Sequence, residues 1–222
     1  MAFDLTEYKE AKALYDRLKQ YCSAHPGRVV FSIYGCSGSG KTTMATAIQK
    51  YFTDDGIGCY MISGDDYPHR IPKRNDEERL RVYETEGEDG LRDYLGTPKE
   101  LDFELVNGIL ADFHAGENTI TLKHMGREDG DIAYEDVDFT GISVLLLEWT
   151  HGGSEYLKGV DIPVFLDCSP EEAKARRISR NRDDNAASPF ICRVIELEQE
   201  KLDRQSKNAR LVVGKDGDIY EQ

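Results

Sequence analysis

One run, Gly35-Cys36-Ser37-Gly38-Ser39-Gly40-Lys41-Thr42, constrains this chain more than any other. It reads G-x-x-x-x-G-K-T, the pattern of a loop that wraps the phosphates of a nucleoside triphosphate. Its flanks fit. Residues 28–34 are mostly apolar and read as a strand, and residues 43–50 read as a helix. The glycines let the backbone turn sharply and approach a ligand with no Cβ in the way. Successive N–H groups then form an anion nest at the positive end of a helix dipole. In this reading Gly35, Ser37, Gly38, Ser39, Gly40 and Thr43 line the nucleotide site. Lys41 reaches the β- and γ-phosphates, and the Thr42 hydroxyl ligates Mg2+.

A strand–loop–helix of this kind belongs in an α/β sheet, and the rest of the chain agrees. Residues 58–63, 142–148, 164–167 and 211–213 read as buried strands, and Ile219-Tyr220 follows a Gly-Asp turn. Helical patterns cover 4–24, 98–113, 170–179 and 190–207, and 72–89 in part. Alternation of apolar strands with helices predicts a mostly parallel sheet covered on both faces, a three-layer α/β/α P-loop NTPase fold. Residues 117–139 read as a small β excursion. The expected organisation is one domain over 1–222, with a leading helix in 1–26, an acceptor-side protrusion at 114–140 and a lid at 176–189.

Composition narrows the partners. The formal net charge is −14, and a general nucleic-acid surface is expected to be basic, so no nucleic-acid partner is expected. No apolar run of membrane-spanning length and no secretory signal stands out, so no membrane partner is expected. The five cysteines, at 22, 36, 59, 168 and 192, lack C-x-x-C spacing and suit free thiols in a reducing, cytoplasmic setting. The five histidines show no zinc pattern. The leading helix could serve a homodimer or homotetramer interface.

Ligands of open α/β sheets collect at the C-terminal strand ends. Asp65 and Asp66 follow one strand and Glu148 ends another. Carboxylates there can hold Mg2+ or accept the proton of an attacking hydroxyl. The metal candidates are therefore Thr42, Asp65 and Glu148. Lys174, Arg176, Arg177, Arg180 and Arg182 crowd into a short stretch. Arginine forks suit a transferring phosphoryl group, and a closing segment would exclude water. Arg177 and Arg180 are read as catalytic beside Lys41 and Asp65, and Arg176 and Arg182 as nucleotide-binding. Candidates for the acceptor side are Asp66, Tyr67, His69, Arg70, His124, Arg127 and His151, followed by Lys73, Arg74, Arg79 and Arg81.

Four segments together resemble the uridine kinase and phosphoribulokinase family. Residues 35–43 are similar to the family's G-x-S-G-S-G-K-T/S loop. Residues 63–70 resemble the strand end where the family keeps an Asp before a small polar residue and an aromatic. Leu146-Leu147-Glu148-Trp149 resembles its Glu-Gly strand end, with Trp149 in place of glycine. Residues 176–182 resemble its arginine-bearing lid. The resemblance implies that Asp65 is the general base and lies near Mg2+, and that ATP gives its γ-phosphate to an alcohol hydroxyl of a small metabolite: a nucleoside, sugar, sugar phosphate or other hydroxylated compound. The clear aromatic nucleoside-recognition segments of a uridine kinase are missing from 114–153, so acceptor specificity is expected to diverge. The competing reading is an NTP-hydrolysing regulatory switch without a small-molecule acceptor. Against it, Ser206-Lys207-Asn208-Ala209 is not the guanine-reading N-K-x-D.

Overall fold

A computed structural model describes residues 9–128, 130–169, 173 and 188–222. The expected helix at 170–179 and the lid arginines 176, 177, 180 and 182 lie, apart from Ala173, outside the described residues.

The elements run α1 (Lys9–Ala24), β1 (Val29–Tyr34), α2 (Lys41–Asp54), β2 (Gly58–Ser63), a 3-10 turn (Gly64–Asp66), α3 (Pro72–Tyr94) and α4 (Phe103–Ala115). Then come β3 (Thr119–Met125), β4 (Ile132–Asp138), β5 (Ile142–Glu148), β6 (Ile162–Leu166), α5 (Pro189–Gln205), a 3-10 turn (Ser206–Asn208), β7 (Leu211–Val213) and β8 (Ile219–Glu221). Six strands form one sheet in the order β2-β5-β1-β6-β7-β8. All its pairings are parallel except β7–β8, while β3 and β4 form a separate antiparallel hairpin.

The central strands are buried on both faces, as their continuous apolar runs predict. Side chains alternate between faces with period two. Val29, Phe31, Ile33, Val144 and Leu146 join one core with residues of α1 and α2. Val30, Leu145 and Leu147 join the other, with Phe103, Val106, Leu110 and Phe113 of α4 and Ile120 and Leu122 of the hairpin. Each helical layer thus covers one face of the sheet, and the three-layer arrangement follows.

Two helices differ from the sequence reading. The expected helix at 98–113 starts later, at Phe103. Asp102 caps it, accepting the Leu105 N–H at 3.0 Å, and the left-handed Gly116 (φ 88°) ends it. Residues 97–101 form a turn instead, with Glu100 N–H and Leu101 N–H both donating to Thr97 O. The charged stretch at 72–89 is helical further, to Tyr94, but Gly87 (φ 71°, ψ −165°) breaks the helical geometry inside it.

Candidate active site

Strand register brings the strand-end motifs side by side. Glu148 of β5 is level with Ile33 of β1 and with Ser63 of β2. One residue past Tyr34 the glycine loop begins, and directly after Ser63 comes the turn carrying Asp65 and Asp66. Residues far apart in the chain therefore meet at one sheet edge, as expected for an open α/β sheet.

The loop has the features that an anion site needs. Gly35, Gly38 and Gly40 all have positive φ (151°, 90° and 98°). A Cβ on Gly38 would lie 2.5 Å from Ala173 O, so this position demands glycine twice over. Gly40 caps α2 in the left-handed conformation with no side-chain capping bond, which leaves the first N–H groups of α2 for a ligand. Lys41 is buried and donates from Nζ to Cys36 O at 3.0 Å, so its ammonium lies inside the loop's curve. These residues fit a triphosphate.

Glu148 is buried, and that burial raises its pKa, with Asp65 adding in the same direction. Lys41 and a hydrogen bond from Thr42 pull it back down. Lys41, Thr42, Asp65 and Glu148 are thus electrostatically coupled. No trio of His, Cys, Asp or Glu among the described residues has the spacing of a protein-only metal cage. That suits Mg2+, which typically takes only one or two protein ligands beside phosphate oxygens and water. When bound it would neutralise charge on the phosphates.

The turn holding Asp65 is built firmly. Asp65 is exposed, and its N–H points to Ser63 Oγ at 3.4 Å. Gly64 carries the indole of Trp149: a Cβ there would fall 1.8 Å from Trp149 Cγ. Trp149 is 2% exposed, stacks obliquely on Phe103 at 5.0 Å, and donates its backbone N–H to Ile33 O. The tryptophan that departs from the family's Glu-Gly pattern therefore has a matching vacancy opposite it.

The acceptor-side candidates divide by placement. Asp66 Oδ1 accepts the Met125 N–H at 2.9 Å and fastens the hairpin to the turn. Tyr67 is buried (1% exposed), its hydroxyl pushed up by that burial, and its carbonyl accepts the Asp102 N–H. His69 is exposed, with Nε2 3.0 Å from Pro98 O. Arg70 donates to Tyr94 Oη at 3.3 Å and lies 3.8 Å from Glu78. His124, exposed on β3, sits 3.4 Å from Glu135 across the hairpin, and Arg127 is exposed at the hairpin turn. His151 is 4% exposed, with its ring perpendicular to Trp149 at 6.2 Å and against Gly96. Burial lowers its pKa to about 4 although Glu100 pulls the other way. Asp65, Asp66, Tyr67 and His69 thus share one loop, whereas His124 and Arg127 lie on the hairpin and His151 in the interior.

Sequence reasoning missed a buried ionic network beside this edge. Arg79 of α3 donates from Nε to Glu100 at 2.6 Å and from its guanidinium to Glu198 of α5 at 3.0 Å. Glu100, fully buried, also accepts Asn75 Nδ2 at 2.9 Å and Gly96 N–H at 2.6 Å. Burial would raise Glu100, but these partners, Arg79 foremost, hold it below the usual carboxylate range. A signal existed: Asn75, Arg79 and Val82 share one helix face, with apolar Val82 marking it as inward.

A strand-bound phosphate loop, an uncapped helix start and clustered strand-end carboxylates define a P-loop phosphotransferase site. The phosphoribulokinase / uridine kinase family model matches residues 30–189, and the chain belongs to that family of P-loop kinases, whose members differ in their acceptors. It is 67% identical over 221 residues to the bifunctional alpha-galactosidase/sucrose kinase AgaSK of Mediterraneibacter gnavus, covering 99% of this chain. That alignment covers 24% of AgaSK, so the chain spans about a quarter of the length of this curated relative. Among solved structures, D-glycerate 3-kinase from Cryptococcus neoformans superposes with TM-score 0.64 at 10% identity, over 96% of this chain and 99% of that one. Phosphoribulokinase from Rhodobacter spheroides gives TM-score 0.62 at 14% identity, over 84% and 69%. At such identities these two share the fold.

Proposed function

We propose that this chain transfers the γ-phosphate of ATP to a hydroxyl of sucrose. The carrying observation is the 67% identity over nearly the whole chain to a protein named for two activities. Of those two, only the kinase calls for a phosphate loop, and the loop Gly35–Thr42 lies within the matched stretch. The proposed arrangement is one kinase domain over 1–222 with its lid at 176–189.

In this reading Asp65 orients the acceptor hydroxyl and takes its proton. Lys41 spreads the charge that develops on the equatorial oxygens, helped by Arg177 and Arg180. Thr42 and Glu148, with Asp65, would hold Mg2+. Positioning and electrostatics supply most of the rate in phosphoryl transfer. Among the described residues no helix is long and apolar enough to cross a membrane, and no cysteine forms a disulfide, which supports a cytoplasmic setting.

The test is ADP release with ATP and Mg2+ in the presence of sucrose, uridine, D-glycerate or ribulose 5-phosphate, with product mass for each. Sucrose-dependent release giving a monophosphorylated disaccharide, abolished in Asp65→Asn, is expected. Release at one rate with every acceptor and with none would replace the kinase by a hydrolytic switch.

A further inference from the structure

A cavity of about 420 Å³ adjoins the first turn of the phosphate loop. It is lined by Ser37 of the loop, Thr150 just past β5, and Arg193, Glu198 and Leu202 of α5. Its size falls in the range of small-molecule sites, roughly 300–1,000 Å³. Two of its charged walls differ in what they have left to give. Arg193 is spent: it donates to Glu88 and at 2.6 Å to Glu196. Glu198 is not. Its side chain is 19% exposed, and Arg79 donates to Oε1 alone. Among the described residues Arg79 is its one hydrogen-bond donor.

Glu198 is also held in place from behind. Arg79, which anchors it, is anchored in turn by buried Glu100, and Glu100 by Asn75 and the Gly96 N–H. The chain Glu100–Arg79–Glu198 joins the 97–101 turn, α3 and α5, so the carboxylate stands on three elements at once. Taking these charges out of water is costly, and such a network is weak evidence for stability. Burial raises the pKa of Glu198, although Arg79 and Lys41 pull it back down. A half-buried carboxyl group with one oxygen unpaired suits phosphate poorly, because phosphate oxygens are acceptors too. Ionised, it accepts hydrogen bonds from hydroxyls; protonated, it also donates one. What it can receive is a neutral molecule rich in hydroxyl donors.

We propose that Glu198 binds the hydroxyls of an unphosphorylated saccharide acceptor, with Arg79 and Glu100 as its positioning residues. This assignment depends on the saccharide-kinase reading above and extends it, for it disfavours acceptors that already carry a phosphate. The geometry is that of a site built to pair with a donor, and such sites discriminate strongly against ligands that lack it. Glu198→Gln keeps a carbonyl for Arg79 but puts an NH2 donor in place of the second carboxyl oxygen. A ligand hydroxyl left mispaired is expected to raise the KM for sucrose by about tenfold or more. The KM for ATP is expected to stay within about twofold, since the nucleotide lies on the loop and not on α5.

The experiment measures steady-state kinetics of the wild type, Glu198→Gln and Glu198→Asp with sucrose and with sucrose phosphate, alongside thermal unfolding of each. A selective rise in sucrose KM in both variants, with folding midpoints near the wild type, supports the assignment. An unchanged sucrose KM in folded Glu198→Gln overturns it and leaves the kinase reading intact. Should Glu198→Gln fail to fold, Glu198→Asp, which keeps the charge and shortens the reach, decides in the same way. A wild type that phosphorylates a sugar phosphate and no neutral saccharide overturns both.

Discussion

His151 offers a clean test of how this interior is built. Its ring is 4% exposed and Nδ1 has no hydrogen-bond partner, so protonation would put an uncompensated charge into the core. Burial lowers its pKa from 6.5 to about 4. Between those values the unfolded chain binds the proton and the folded chain does not. Stability from this group is therefore complete above pH 6.5 and is lost as pH falls toward 4. A shift of about 2.5 units at 1.36 kcal/mol per unit comes to roughly 3 kcal/mol. The assay is urea unfolding of the wild type and His151→Gln from pH 7.5 to 4. The stability difference between the two cancels the other titrating groups. The wild type is expected to lose about 2 kcal/mol relative to the variant between pH 7 and 5, and about 3 by pH 4. Parallel curves over that whole range would refute the reasoning, because they would mean that His151 is protonated as readily folded as unfolded.

Gly64→Ala is expected to destabilise the fold and displace Asp65, because its Cβ would meet Trp149 Cγ at 1.8 Å; a cost of about 1–3 kcal/mol, read by urea unfolding, should come with a blue or red shift in the emission of the one tryptophan. Glu100→Gln removes the fully buried charge partner of half-buried Arg79 and is expected to cost about 3–5 kcal/mol, measured by calorimetry at neutral pH. Lys41→Ala is expected to lower the chemical step about 10²-fold or more in single-turnover phosphoryl transfer, with nucleotide binding followed separately.

How much was legible depends on how far apart the interacting groups are. The phosphate loop is eight contiguous residues whose conformation follows from its own glycines, so the sequence alone located it and the strand and helix around it. The strands of residues 29–34 and 142–148 were equally plain, because burial on both faces leaves a continuous apolar signature. Likewise the acids at 65, 66 and 148 were found as strand-end residues. Which of them does what was not legible: only register sets Glu148 level with Ser63, and only the fold turns Asp66 onto the Met125 N–H of the hairpin.

The sequence by itself determined the fold class and the phosphate-loop turn, because each rests on local backbone geometry or on periodicity along one segment. Tertiary structure alone decided the partners of charged and aromatic side chains. Arg79 reads from sequence as an acceptor-side candidate until Glu100 and Glu198 close on it from 21 and 119 residues away. Trp149 looks like a misfit in a glycine's place until Gly64, from another strand end, supplies the room. A long-range pair leaves no periodic mark on either of its segments, so its energy becomes visible only when the chain has brought the two ends together.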